Sequence, residues 1–316
     1  PGDRARRATA WLYGANTFGA VAGAFIATFF LLENFGVRRA LWTACCLGAL
    51  AAGLAFLFSR AGLGRSEPLP ADLAPSSPGK VKSVRIPATL VFAVAAIAGF
   101  VFFAMELVWS RMLAPILGGT TFTFGLILAV ALAGIGVGAT IYALGFARRR
   151  PTLSALAFTC LLAAVCLAAP FAAGDRLAVL VAFLKDRNTF AFAGEVGVWA
   201  LVAGLVVFPF SVVSGAQFPL LIGLCGEGDR QIGRQVGLVF FWNTLGSIAG
   251  ALAGGFGLLP LLTAPGAWQA LTLLMVATGL VVFVFSRRAP RVASSGLRPV
   301  IFAAVLVAFA SVFLLA

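Results

Sequence analysis

Apolar residues fill this chain in long runs, separated by short clusters of arginine, lysine, glycine and proline. A run crosses a bilayer as a helix once it reaches roughly 20 residues. Nine do so, at about 9–32, 40–59, 87–113, 122–146, 152–173, 191–224, 235–262, 266–286 and 299–316. The run Leu177 to Leu184 is too short to span and is expected at the membrane interface, between its flanking charges. The run at 191–224 is too long for one simple helix, and Pro209 and Pro219 inside it predict a kink or break. Gly62 to Ile86, rich in proline, serine and charge, has no helical periodicity and reads as a linker.

Composition sharpens this picture into a fold class. With 61% hydrophobic residues, 10% charged residues and a mean hydropathy of +1.05, a soluble fold is excluded. The predicted class is all-α, a polytopic transmembrane helix bundle of about nine spans. In a soluble protein the net charge of +13 would suggest nucleic acid. Here the placement of the charges decides otherwise. Seventeen of the 23 Lys and Arg fall in alternate loops, at Arg4 to Arg7, Arg60 to Arg85, Arg148 to Arg150, Arg230 to Arg234 and Arg287 to Arg298. The opposite loops hold five, Arg38, Arg39, Arg176, Lys185 and Arg187. The richer set belongs in the cytoplasm, which puts the N-terminus there, in an inner (cytoplasmic) membrane, and residue 316 on the far side. The expected partner is the lipid bilayer and not nucleic acid. Trp11, Trp42, Trp109 and Trp268 fall near predicted span ends, where indoles anchor at the headgroups.

Histidine is absent, which removes the commonest general base and zinc ligand. The five cysteines (Cys45, Cys46, Cys160, Cys166, Cys225) show no metal or disulfide spacing and read as buried packing residues. No cofactor, no metal and no active site are expected. Because the chain opens on Pro1 and closes on an apolar run, it reads as part of a longer polypeptide.

An internal repeat organises the chain. Residues 12–24, LYGANTFGAVAGA, align without gaps to 239–251, VFFWNTLGSIAGA. The same offset of 227 pairs FLFSR at 56–60 with FVFSR at 283–287. Duplicated sets of helices are how many transporter folds are built. The domain reading that follows places the last two helices of a first membrane half at 1–60 and a cytoplasmic linker at 61–86. A six-helix second half occupies 87–287, and a cytoplasmic loop with an additional transmembrane helix occupies 288–316. The first half is then incomplete.

Several residues could carry function. In each copy small residues share one face with an asparagine: Asn16, Gly19 and Gly23 in the first, Asn243, Gly246, Gly250 and Gly254 in the second. Close helix packing with an interhelical hydrogen bond is one reading, and polar sites facing a central cavity are the other. Gly134 and Gly138 form another packing pair. Glu106 lies inside the third span, where a charge is costly and marks either a structural clamp or a proton or substrate pathway. Arg111 sits 140° around the helix from it, so each is expected to meet a partner elsewhere. Glu195 and Gln217, on the proline-broken sixth span, are further candidates for lining a cavity.

Taken together, ELVWSRMLAPILGGTTFTFGLILAVALAGIGVG (106–138), SGAQFPLL (214–221), LYGANTFGAVAGAF (12–25) and FFWNTLGSIAGALAGGFGLLPLL (240–262) resemble the membrane part of fused major-facilitator/spermidine-synthase-like proteins. The resemblance covers most of the chain. It implies duplicated major-facilitator-like halves and an attached domain similar to aminopropyltransferases, outside these residues. It also implies a transporter-like role for a small amine or related substrate. The alternative is a structural membrane anchor or a subunit of a larger membrane complex.

Overall fold

The computed structural model describes residues 2–61, 88–146, 150–186, 191–225 and 232–288. The expected ninth span, 299–316, and the linker from Gly62 to Ile86 lie outside the described residues. Everything regular among the described residues is helical: α1 (Gly2–Ile26), α2 (Leu32–Arg60), α3 (Ala88–Leu117), α4 (Thr121–Ile141), α5 (Leu153–Ala173), α6 (Asp175–Asp186), α7 (Ala191–Val206), α8 (Phe208–Leu224), α9 (Ile232–Ala253) and α10 (Leu259–Arg288). Single wide π turns join α1 to α2 (Ala27–Leu31) and α9 to α10 (Gly254–Leu258), and another follows α4 (Tyr142–Phe146).

Among the described residues five stretches are long and apolar enough to cross a membrane, or six if the bent pair α7–α8 counts as one span. Two of these run for 47 residues (Gly14–Arg60) and 55 residues (Gly233–Arg287). At 1.5 Å per residue each exceeds two crossings of a roughly 30 Å core. Each is also broken once, at Gly36 (φ 71°, ψ 171°) and at Thr263 (φ 62°, ψ 173°). Split at those points, the helices occupy the expected spans from the first to the eighth.

The chain divides into two compact units, one of Pro1–Phe25 with Ile86–Ala316 and the other of Ile26–Arg85. In the larger unit the core lies between three helix pairs, α3 with α9, α4 with α8, and α5 with α10. Glycine decides how close the first two come. A Cβ on Gly246 or Gly250 would overlap the backbone of Ala96 or Phe100 in α3, and one on Gly254 would press on Ala104 at 3.2 Å. In the α4–α8 pair, a Cβ on Gly134 would stand 2.5 Å from that of Ser211, and one on Gly138 or Gly215 would overlap the backbone of Val212 or Ile135. Lipid tails give helices no hydrophobic reason to associate, so backbone approach of this kind supplies the dispersion contact that holds the bundle. In the smaller unit α2 has no buried residue, and its Leu41, Trp42, Leu47 and Leu57 are exposed.

Three expectations need correction. Trp109 does not anchor at a headgroup layer: α3 continues to Leu117, and the indole is 0% exposed. Trp268 is also buried, its Nε1–H donating to Leu167 O at 2.9 Å. Cys45 and Cys46 are exposed on α2, while Cys160 is buried. The run Leu177 to Leu184 lies within α6, a 12-residue helix.

Candidate functional site

Glu106 sits on the buried stripe of α3 together with Phe102, Trp109 and Leu113, because offsets of three and four residues return to one face. It is 9% exposed, and among the described residues its carboxylate has no ion pair and no side-chain hydrogen bond. One turn on, Ser110 donates to the Glu106 backbone carbonyl at 2.8 Å. Arg111 is exposed, on another side of the helix, and does not meet Glu106. The ring of Phe210, at the start of α8, lies 6.0 Å from that of Phe102 and 5.6 Å from that of Trp109, centroid to centroid.

The sixth span breaks as its prolines suggest. Helices α7 and α8 meet at Val207 with a bend of 52°. Pro209 stands in the first turn of α8, where its missing N–H costs nothing, so the preceding helix ends and a new one starts. Ser211, fully buried, donates to Val207 O at 2.9 Å and so satisfies a carbonyl at the break. Gln217, 2% exposed, donates from Nε2 to Cys160 Sγ of α5 at 3.1 Å. Glu195, near the start of α7, is exposed.

The two repeat asparagines part company. Asn243 donates from Nδ2 to Ala95 O of α3 at 3.1 Å, and Ser247 returns to Asn243 O at 2.8 Å. Asn16 is exposed on α1. Among the described residues nothing lies within 4 Å of a Cβ placed on Gly19 or Gly23. The other side of α1 packs on α4, with Phe18 over Gly136 and Gly14 beside the Thr140 hydroxyl.

A cavity of about 190 Å³ opens where α3 hands over to α4, lined by Ser110, Ala114, Gly119, Thr120, Thr123 and Phe124 among others. Its hydroxyls serve the backbone: Thr120 accepts from Thr123 N as the N-cap of α4, and Thr123 donates to Leu117 O. Among the described residues no cluster of three or more His, Cys, Asp or Glu could hold a metal ion.

Apolar helices, a repeated sequence pattern and a broken span are the parts of a known architecture, and the family model of the Major Facilitator Superfamily matches residues 1–251. The chain belongs to that superfamily. No curated protein and no solved structure matches it. In transporters built from repeats, binding sites form near the midplane around discontinuous helices. In this major facilitator domain the break at Val207 and the stripe of α3 carrying Glu106 come together through Phe210. Of the residues singled out in the sequence, Glu106 lies in this region, Asn243 and Gln217 lie in helix–helix contacts, and Asn16, Arg111 and Glu195 are exposed. Sequence reasoning missed Trp109, Phe210 and Cys160 as neighbours. The spacing of Phe102, Glu106 and Trp109 was the available signal for the first.

Proposed function

We propose that this major facilitator domain is transporter-like and moves a small substrate across an inner membrane, with Glu106 as the coupling residue and its N-terminal end in the cytoplasm. One observation carries the reading. A carboxyl group lies buried on a membrane helix, beside a broken span, with no cation against it among the described residues, and such a group is costly unless it has a task. Orientation rests on the split of 17 against 5 basic residues between alternate loops. The finer reading is the membrane part of a spermidine-synthase-like fused protein handling a small amine. Its support is the quoted motifs at 106–138, 214–221, 12–25 and 240–262, and any aminopropyl transfer belongs to an attached domain. Within it, residues 1–60 are the end of one half and 87–287 the other, joined by the 61–86 linker.

Uptake of labelled amines into proteoliposomes tests the reading. Saturable flux that falls to background in a folded Glu106→Gln variant is expected. The same absence of flux in both proteins would favour the second reading, a structural anchor or subunit. That alternative draws on Asn243 and Gln217, whose side-chain amides bond across to neighbouring helices at Ala95 O and Cys160 Sγ.

A further inference from the structure

Trp109 and Glu106 present complementary needs on one helix face. The indole of Trp109 is 0% exposed and its Nε1–H has no hydrogen-bond partner among the described residues. A buried donor left without an acceptor costs about 1–3 kcal/mol, and most native structures avoid it. Three residues earlier, the Glu106 carboxylate has no donor among the described residues. Side chains at i and i+3 on a helix are neighbours.

Ring geometry places the indole over the turn that carries Glu106. Phe102 and Trp109 are seven residues apart, about 10.5 Å along an ideal helix axis. Their ring centroids are nevertheless 6.5 Å apart, at 90°. Long side chains on a helix lean toward its N-terminus, and Trp109 therefore reaches back toward Phe102 across Glu106. Phe210 of α8 touches both rings. The turn that carries Glu106 therefore lies between two rings that close on each other, one of which bears an N–H.

Among the described residues no other group is placed to serve the charge. The elements packed on α3 are α4, α8, α9, α10 and the π turn between the last two. Neither α4 nor α8 contains an acidic or basic residue. Helix α9 has Arg234 in its first turn, while Gly254 lies against Ala104 near the level of Glu106. Those two positions are separated by about 30 Å of helix. The basic residues of α10, Arg287 and Arg288, are its last two.

We propose that Trp109 is the hydrogen-bond donor for the ionised form of Glu106, so that the pair works as a proton-operated element of α3. With Glu106 neutral, the indole N–H is left without an acceptor. Loss of the proton turns the carboxylate onto Trp109 Nε1–H, because a charged acceptor gains far more from a buried donor than a neutral one does. The proposal rests on reading Glu106 as the coupling residue and names the proton as what it carries. Trp109 acts as a positioning residue.

The test uses the whole chain in lipid nanodiscs and needs no transport. Infrared spectra over a pH series follow the protonated carboxyl band that Glu106→Gln removes, and Raman spectra follow the indole N–H band that Trp109→Phe removes. Two results are expected. The Trp109 band shifts to its hydrogen-bonded position as pH rises, and does not shift in Glu106→Gln. In Trp109→Phe the carboxyl group binds its proton about tenfold more tightly, since its charged form has lost a donor. A Trp109 band that ignores pH, or a carboxyl titration unchanged by Trp109→Phe, would overturn the proposal. If Trp109→Phe does not fold, the Raman comparison with Glu106→Gln decides alone. Absent flux with a coupled pair would count against the transport reading only, and flux with an uncoupled pair against this proposal only.

Discussion

The two copies of the repeat share a sequence pattern and a backbone but not a neighbourhood. The π turn Ala27–Leu31 recurs at Gly254–Leu258, and the backbone break at Gly36 recurs at Thr263, each at the offset of 227. Arg60 lies over the Phe56 ring at 4.6 Å, and Arg287 over Phe283 at 5.0 Å. Yet the small-residue face of α9 lies against the backbone of α3, while Gly19 and Gly23 on α1 meet nothing within 4 Å. A small-residue face therefore encodes the capacity for close packing, and the adjacent helix decides whether it is used.

Substitutions at paired positions test how far that contrast goes. The largest effect is expected at Gly246→Leu, where any Cβ overlaps Ala96: a loss of about 3 kcal/mol, read as thermal unfolding in detergent. Gly19→Leu, with open space around it, should stay within about 0.5 kcal/mol of the parent. Equal losses at both sites would erase the distinction between the copies.

Next come the breaks. Thr263 holds a positive φ with extended ψ, a region open to little but glycine, whereas the first copy has Gly36 there. Thr263→Gly is expected to stabilise by about 1–2 kcal/mol and Gly36→Thr to destabilise by about as much, in the same unfolding measurement. Smaller again, Asn243→Ala removes the bond to Ala95 O and should cost about 1 kcal/mol, against no measurable change for Asn16→Ala. The smallest effects belong to Phe56→Leu and Phe283→Leu. Each loses a cation–ring contact worth about 0.5 kcal/mol, and the two losses should agree if the motif is locally self-sufficient.

The spans from the first to the eighth, the broken sixth helix and the offset were legible in the sequence because apolar run length, proline and repeated identities are local signals. Long-range information was not. The run ending at 113 concealed that α3 reaches Leu117, so Trp109 was read as an end-of-span anchor instead of a core residue. The break at Thr263 falls in the gap between the spans 235–262 and 266–286, beside Pro265, but that threonine itself takes a conformation suited to glycine is hinted at only by its alignment with Gly36. Glu106 was found by its charge alone, but its surroundings depend on Phe210, more than a hundred residues away, and no periodicity links them.

The matched π turns and breaks have a practical side. Because the backbone of 27–60 and that of 254–287 keep step residue for residue, the two segments are cassettes of equal length, interchangeable in a chimera without trimming or adding a loop. A single residue inserted between the phenylalanine and the arginine at the end of either would turn that arginine by about 100° away from its ring.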